Sequence, residues 1–258
     1  MLISNSSLQN EHNVINLNKK APSDLDAIFL ATPHPEKVKT ILLDSLNLKS
    51  IPASISRFSN LKHLSLANNP KLDLEKVIKR IKQAPIQFLN LQKNELHSVP
   101  KNLTELQNLT ELNLAHNRLQ KADNFTFLSK IKNLKELWLD HNQLDSLPKT
   151  IGKLKQLKRL YIGHNKLNKL PNELENLKKL SVLHAEYNAF EAFPEIFLKT
   201  KSLILVHLNN NKISSIPRSF QTQKFSIKGL VLNNNPINDN EKKWIKNEFS
   251  HFFLLSLD

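Results

Sequence analysis

Residues 134–142 read LKELWLDHN and residues 157–165 read LKRLYIGHN, so the spacing LxxLxLxxN returns after 23 residues. The same spacing, with aliphatic residues at the L positions, begins again at residues 61, 86, 109, 180, 203 and 227. A degenerate ninth copy begins at Val38 and has Leu46 where the others have Asn. Steps of 23 to 25 residues between copies are typical of an architecture built from stacked repeats.

Each copy predicts a short β-strand followed by a turn. The alternating apolar residues of LxL give the strand one buried face, which a single copy cannot cover. We therefore expect neighbouring copies to stack as parallel strands about 4.8 Å apart, with their Leu side chains in one continuous core. The Asn that ends each copy can donate to and accept from backbone groups of the turn. These residues, the asparagine ladder, are Asn69, Asn94, Asn117, Asn142, Asn165, Asn188, Asn211 and Asn235.

The second half of the repeat carries an apolar residue followed by Pro at a constant phase. The prolines concerned are Pro52, Pro100, Pro148, Pro171, Pro194 and Pro217. With the LxxLxLxxN copies, they resemble the leucine-rich repeat family over about residues 38–240, in its 23-residue LPxxI class of bacterial and intracellular proteins. The resemblance implies an α/β fold, a right-handed solenoid or horseshoe of about nine repeats with a parallel β-sheet on its concave face. Residues 73–82 depart from the Pro pattern, and we expect a longer helix there.

The sequences at both ends predict helical caps over the ends of the stack. Residues 23–31 begin with a capping-box pattern at Ser23 and continue as an apolar run. After the last copy, Asn240 is a suitable N-cap for a helix with an apolar stripe. The stripe consists of Trp244, Ile245, Phe249, Phe252 and Phe253. We predict a loose N-terminal tail of about 20 residues and a helical cap within 1–37, repeats over 38–240, and a C-terminal capping helix over 241–258.

The composition excludes several classes of functional site, and the N-terminal sequence limits the compartments in which we expect the protein. The chain has no Cys, which excludes disulfides, thiol nucleophiles and Cys-ligated zinc. None of its three Gly is paired as GxG, so a Gly-rich phosphate loop is not expected. Polar residues interrupt the apolar stretches of residues 1–20, and no run of 18 apolar residues occurs. We expect no Sec signal, no transmembrane segment and a monomer that is either cytoplasmic or secreted into a host cell by a non-Sec route.

The residues between the ladder positions predict two columns of side chains on the concave sheet. The column just after the second ladder position contains Trp138, Tyr161, His184 and His207. The column just before the ladder Asn contains His116, His141, His164 and Tyr187. The charged residues beside them are Glu111, Glu136, Asp140, Arg159 and Glu186. Because Trp, Tyr and Arg are enriched at protein–protein hot spots, we interpret this patch as a partner-binding surface; rings that merely cover the sheet are the alternative.

The histidines raise the question of a metal site or of catalysis. His116, His141 and His164 would lie about 5 Å apart, beside Asp140 and Glu186. Zinc needs ligands that converge at ~2.0–2.1 Å with an oriented second shell, whereas parallel side chains on a ladder do not converge readily. No Ser lies beside a suitable His and Asp in these columns, and no paired-carboxylate pocket is implied. We therefore predict no metal, no cofactor and no enzymatic activity.

Part of the formal charge of +14 follows one edge of the repeats. Four Lys residues lie two positions before a copy and two lie just inside one; this lysine ridge consists of Lys132, Lys155, Lys178, Lys201, Lys135 and Lys158. A solvated edge that aids solubility is the simplest interpretation. Docking of an acidic protein face or of anionic lipid headgroups is the alternative. Nucleic acid is not expected, because the concave columns carry acids and no nucleic-acid-binding motif occurs.

Together these features favour a non-enzymatic recognition protein whose concave face binds one protein partner. Stand-alone bacterial proteins of the resembled family are often effectors delivered into a host cell, and the Asn- and Lys-rich, Gly-poor composition is typical of an AT-rich bacterial genome. The resemblance thus implies a bacterial effector with a role in virulence. Two alternatives stay open: an intracellular scaffold or regulator, and a binder of anionic lipid or acidic protein through the lysine ridge.

Overall fold

The computed structural model describes residues 13–20, 22–223 and 225–258, which fall into two compact units, Met1–Asn117 and Arg118–Asp258. In each unit, three-residue strands alternate with short helical segments, as the predicted α/β class requires. Every strand is parallel to its neighbours in the same unit, and these neighbours are the strands before and after it in the chain.

Among its described residues, the first unit contains five strands and two α-helices. The strands are β1 Val14–Asn16, β2 Thr40–Leu42, β3 His63–Ser65, β4 Phe88–Asn90 and β5 Glu111–Asn113. The helices are α1 Leu25–Ala31 and α2 Leu74–Ile81, and 3₁₀ segments occupy Pro35–Lys37, Ala53–Arg57 and Lys101–Glu105. Helix α2 confirms the helix predicted within residues 73–82, and the Asp73 side chain caps it by accepting a hydrogen bond from Lys76 N at 3.1 Å.

The second unit contains six strands and two α-helices in its described part. The strands are β6 Glu136–Trp138, β7 Arg159–Tyr161, β8 Val182–His184, β9 Leu205–His207, β10 Gly229–Val231 and β11 Leu254–Ser256. The helices are α3 Ser219–Thr222 and α4 Asp239–Glu248. The 3₁₀ segments are Ala122–Lys130, Lys149–Lys153, Asn172–Asn176 and Glu195–Leu198.

The middle residue of each strand builds the core of its unit. Leu137, Leu160, Leu183 and Val206 are fully buried and pair in register along β6 to β9. Burying such a side chain stabilises the fold by roughly 1.5–3 kcal/mol. The residues on either side of it point outward, because side chains alternate along a strand. The predicted stack of short parallel strands is therefore confirmed, and the same alternation defines an open face on each unit.

Asn165 shows how the asparagine ladder joins consecutive repeats. Its Nδ2 donates, at 3.0 Å each, to the carbonyl oxygens of Leu139, Ile162 and Gly163. Its Oδ1 accepts a hydrogen bond from Leu144 N at 3.0 Å. Asn69 makes equivalent bonds in the first unit. One amide thus pairs backbone groups of its own turn and of the preceding repeat, groups that would otherwise be buried without partners.

Strands β1 and β11 lie outside the nine predicted copies. β1 pairs with β2, so the prediction of a loose tail is wrong for Val14–Asn16, and residues 1–12 lie outside the described residues. β11 pairs with β10. The last strand of a sheet has unpaired backbone N–H and C=O groups, which a further strand satisfies. The described residues accordingly contain eleven strands, whereas the sequence predicted about nine repeats.

The helices near the ends begin at other residues than the sequence suggested. Asp24, not Ser23, caps α1 by accepting a hydrogen bond from Ala27 N at 3.0 Å. Asn238, not Asn240, caps α4 by accepting one from Glu241 N at 2.9 Å. Helix α4 ends at Glu248, so the predicted helix forms over only part of residues 241–258.

Candidate functional site

The open face of the second unit carries a row of rings, which we name the strand stack. Its members, the last residues of β6 to β9, are Trp138, Tyr161, His184 and His207, and each pairs in register with the next. Successive ring centroids are 5.2, 4.8 and 4.2 Å apart, at interplanar angles of 6°, 21° and 21°. The strand spacing thus sets nearly parallel rings on top of one another.

A second row, the turn stack, consists of His141, His164 and Tyr187, each directly before a ladder Asn. The centroids are 3.9 and 4.1 Å apart, both at 13°. All three residues have a left-handed backbone with φ of 51°. Positive φ occurs at the same position of all nine copies, from Ser45 to Asn234. Sequence reasoning predicted a turn here but missed its left-handed backbone. The Asn residues at 68, 210 and 234 are a signal for it, since Asn tolerates positive φ better than most residues.

Both rows are open to solvent. His141 and Tyr187 are exposed, Tyr187 to 47%, while His164 and the four rings of the strand stack are half-buried. Stacking covers the ring faces that touch within each row, and the rings carry N–H, O–H or ring nitrogen at their edges. The surface therefore combines apolar contact area with hydrogen-bonding groups, the combination that makes Tyr and Trp effective at interfaces.

An ion pair lies on the same face as the strand stack. Arg159 Nη1 donates to Glu136 Oε1, between the first residues of β7 and β6. Trp138 and Tyr161 follow two residues later in these strands, so all four side chains share one face. Because the Arg159 side chain is 48% exposed, we do not expect this ion pair to contribute much to the stability of the fold. The guanidinium has five N–H donors, and some of them face solvent.

Two carboxylates meet over a glycine between the two rows. Asp140, Gly163 and Glu186 follow the third apolar position of the LxxLxLxxN spacing in three consecutive copies. A Cβ added to Gly163 would lie 3.0 Å from Glu186 Oε1 and 3.3 Å from Asp140 Oδ1, so both side chains reach into the space that the glycine leaves. Asp140 Oδ1 also accepts a hydrogen bond from Gly163 N at 3.0 Å. The sequence placed both acids beside the patch but did not show that they converge here.

Burial and neighbouring charges shift the protonation of this group. Burial raises the pKa of Asp140 to about 6, and the negative charge of Glu186 adds to the rise. Burial also raises the pKa of Glu186, but His184, the backbone of Glu186 and His207 together outweigh it and lower that pKa. Burial lowers the pKa of His207, and the neighbouring His184 lowers it further. At neutral pH the group therefore holds two ionised carboxylates next to imidazoles.

His184, Glu186 and His207 form a compact set of potential metal ligands. Their ligand atoms all lie within 4.8 Å of one another, and His184 Nδ1 is 3.6 Å from Glu186 Oε2. Our sequence reasoning weighed a metal at His116, His141 and His164 instead. It missed this set because Glu186 precedes the turn column, whereas the two histidines end their strands.

The structure brings most predicted binding residues together on the second unit. These are the seven rings of the two stacks with Glu136, Asp140 and Arg159. His116 belongs to the first unit, where it has the same left-handed backbone. All six residues of the lysine ridge are exposed, and Lys155 Nζ donates to Asn176 O at 3.3 Å.

Sequence profiles of leucine-rich repeats match the centre of the chain. The profile described as leucine rich repeat matches residues 132–190, and the profile described as leucine rich repeats in two copies matches residues 107–149. No curated protein sequence gives a significant match. Within the described ranges, no helix is long and apolar enough to cross a lipid bilayer.

Solved structures extend the similarity to most of the chain. A leucine-rich repeat protein of Leptospira interrogans is 32% identical with a TM-score of 0.77, over 92% of this chain and 58% of its own. This chain thus spans somewhat more than half of that protein. Internalin C2 of Listeria monocytogenes is 27% identical with a TM-score of 0.62, over 77% of this chain and 82% of its own.

A plant structure shares the fold alone. The ectodomain of the receptor kinase GASSHO1/SCHENGEN3 from Arabidopsis thaliana, solved with CASPARIAN STRIP INTEGRITY FACTOR 2, is 23% identical with a TM-score of 0.56, over 86% of this chain and 30% of its own.

The 23-residue LPxxI class stays a prediction. The profiles, the solved structures and the stacked strands with their asparagine turns together show that the chain belongs to the leucine-rich repeat family.

Proposed function

We propose that the chain is a non-enzymatic recognition module that binds a protein partner on the open face of its second unit. The observation that carries the proposal is the pair of ring rows, the strand stack and the turn stack, both of which are partly open to solvent, together with the exposed Arg159. Leucine-rich repeat proteins typically serve as binding scaffolds, which supports a protein as the partner.

The energetics of the stacks favour binding. Each ring stacks on at least one neighbouring ring and belongs to a strand or turn, so the rings lose little side-chain entropy when a partner contacts them. Trp, Tyr and Arg carry a large share of the binding free energy at protein interfaces when they lie centrally. Trp138, Tyr161 and Arg159 lie together on β6 and β7, and we place the centre of the interface there.

The test compares partner capture by matched variants. Trp138→Ala with Tyr161→Ala removes two rings of the strand stack. Asn90→Ala with Asn113→Ala changes the same strand-end position in the first unit and serves as the control. Quantitative affinity capture with mass spectrometry should give partners that the original chain and the control retain and the double ring variant loses. Equal capture by all three proteins would remove the ring surface from consideration.

We infer further that the partner belongs to a host cell. Similarity to structures from Leptospira interrogans and Listeria monocytogenes supports a bacterial source for this chain, and an effector is the corresponding role. An intracellular scaffold is the competing role for the same surface. A translocation reporter fused to the chain separates them: signal in host cells supports the effector, and its absence together with capture of partners from the producing cell supports the scaffold.

The lysine ridge supports a second candidate function, binding to an anionic surface. Its six Lys side chains are exposed at corresponding positions of neighbouring copies, and the chain carries a formal charge of +14. Such a row attracts anionic lipid or an acidic protein face over about a Debye length, and the attraction weakens as salt increases. Charge reversal at Lys155, Lys178 and Lys201 tests this candidate separately from the ring surface.

A further inference from the structure

Three potential metal ligands lie together on the open face of the second unit, at His184, Glu186 and His207. In the described part of the chain, no other group of three His, Asp or Glu side chains has all its ligand atoms within 4.8 Å of one another. The two histidines end neighbouring strands, and Glu186 follows β8 by two residues. All three side chains are half-buried, so an ion can reach them from solvent.

Glu186 is an anionic ligand without a sufficient partner. Its Oε2 is buried and has no hydrogen-bond partner among the described residues, and His184 Nδ1 lies 3.6 Å from it. Asp140 brings a second carboxylate to the same space over Gly163. Removing two negative charges from bulk water without full hydrogen bonding is unfavourable, and a divalent cation offsets that cost.

The separations are compatible with a transition-metal ion after small side-chain rotations. Around a tetrahedral Zn²⁺, ligand atoms at ~2.0–2.1 Å from the metal are about 3.4 Å apart. The greatest separation in this group has to shorten by about 1.4 Å to meet that geometry. The rings of His184 and His207 lie nearly parallel, at 21°, so rotation about their side-chain bonds is needed to point both nitrogens at one ion. Solvent on the open side leaves room for this rotation.

We propose that His184, Glu186 and His207 bind one divalent transition-metal ion, Zn²⁺ in the first instance, with water as the fourth ligand. Two imidazoles and one carboxylate favour Zn²⁺ over Mg²⁺ or Ca²⁺, which prefer all-oxygen sites. Our sequence-based expectation of no metal rested on a row of like side chains. This group differs because a carboxylate lies beside the two rings. The proposal goes beyond partner recognition and does not depend on it.

The test titrates the full chain, freed of metal with a chelator and then desalted, with ZnCl₂ in a calorimeter. One tight Zn²⁺ per chain is the expected result. His184→Gln, Glu186→Gln and His207→Gln should each weaken that binding about ten-fold or more. Co²⁺ in place of Zn²⁺ should give visible absorption typical of a four-coordinate site, and the three substitutions should abolish it. Thermal unfolding followed by circular dichroism shows whether each variant is folded.

A matched control comes from the turn stack. His141→Gln with His164→Gln removes a pair of imidazoles that are stacked even more closely, with centroids 3.9 Å apart. This control should bind Zn²⁺ with the affinity of the original chain. It also allows for weak binding by other members of the ten histidines in the chain.

Two results would overturn the proposal. One is the lack of any stoichiometric Zn²⁺ binding by the original chain. The other is binding that survives in both the His184→Gln and His207→Gln variants or that is lost in the turn-stack control. If Glu186→Gln does not fold, the two histidine variants decide the matter. Because only metal and purified chain are present, failure here leaves the proposed partner binding untouched.

Discussion

At the last residue of each copy's strand, the first unit carries Leu42, Ser65, Asn90 and Asn113, whereas the corresponding positions of β6 to β9 carry Trp138, Tyr161, His184 and His207. The middle residues of the same strands are aliphatic and buried in both units. The backbone pairing is also the same, parallel and in register. The repeat thus separates two tasks by strand position: the buried middle residue holds the stack together, and the outward residue is free to vary.

Asp44 and Asp140 repeat this contrast at one position. Each accepts a hydrogen bond from a backbone N of the next copy, Ala67 N at 2.9 Å or Gly163 N at 3.0 Å. Asp44 also accepts from Asn18 Nδ2 and from the Ser65 hydroxyl. Asp140 instead shares its space with a second carboxylate, Glu186. The same turn geometry therefore supports a well-paired acid in one unit and a crowded acid in the other.

The largest expected effect on stability concerns the buried middle residues of the strands, which are alike in both units. Leu89→Ala in the first unit and Leu160→Ala in the second each remove a fully buried middle residue. Each should lower the free energy of unfolding by about 2–5 kcal/mol, measured by guanidinium denaturation. Tyr161→Ala, one residue further, is the control and should cost much less. A cost below about 1 kcal/mol for either Leu variant would contradict a shared core design.

The asparagine ladder should give the next largest effect. Asn94→Ala removes the side-chain hydrogen bonds to Asn69 N and Leu66 O of the preceding copy. Asn165→Ala removes hydrogen bonds to backbone groups of its own copy and of the preceding one. We expect each to lower the free energy of unfolding by about 1–3 kcal/mol. Asn94 should show the larger loss, because it is buried at 2% exposure whereas Asn165 is half-buried. Denaturation curves that match those of the original chain would show that water replaces these bonds at no cost.

Asp140→Asn should stabilise the chain at neutral pH. The folded-state pKa of Asp140, about 6, lies above its ordinary value of 3.8, so the folded state binds more protons than the unfolded state between these values. Stability therefore falls as pH rises from about 4 to about 6, and the loss is complete above that. We expect a gain of about 1–2 kcal/mol for Asp140→Asn at pH 7.5 that vanishes near pH 4, measured by denaturation with chelator present.

Asp44→Asn is the matched control for this prediction. The substitution replaces a carboxylate that has three donors, so we expect unchanged or lower stability at pH 7.5. A gain of equal size in both variants would mean that crowding by Glu186 does not set the effect of removing the acid at position 140.

The smallest effect on stability should come from the lysine ridge. Lys155→Glu, Lys178→Glu and Lys201→Glu together change exposed charges, and we expect each to alter the free energy of unfolding by less than about 0.5 kcal/mol. If the ridge docks on anionic surfaces, the triple variant should lose binding to liposomes with anionic lipid and elute earlier from heparin resin. Binding equal to that of the original chain would leave the ridge as a solubilising edge.

The fold was largely predictable because the same sequence pattern occurs in many copies. A buried middle residue and a turn Asn recur at a constant step, so neighbouring copies support the same interpretation of each strand. The two end strands could not be predicted in this way, since Val14–Asn16 and Leu254–Ser256 lack the LxxLxLxxN spacing. These two strands pair through backbone N–H and C=O groups, which are present whatever the side chains, so the sequence pattern does not reveal the pairing. Cap positions were wrong by one or two residues because Ser23 and Asp24, or Asn238 and Asn240, are all good N-caps.

The candidate site was predictable only where register alone determines it. Trp138 and Tyr161 lie at the same position of neighbouring copies, so their stacking follows from the strand spacing. The approach of Asp140 to Glu186 depends on side-chain reach across two copies and on Gly163 lacking a side chain between them. Such distances need the three-dimensional structure, because spacing along the sequence does not specify side-chain rotation.

The left-handed turn before each ladder Asn limits how this protein can diversify. Ser, Asn, Lys, His and Tyr occupy that position in the nine copies, and Val, Ile, Thr and Pro occur in none. A β-branched residue at positive φ is strongly disfavoured, and Pro cannot adopt it. The turn stack can therefore be built from fewer residue types than the strand stack. A designer who builds a library on this scaffold can randomise the strand-end positions fully, but should omit β-branched residues and Pro from the turn positions.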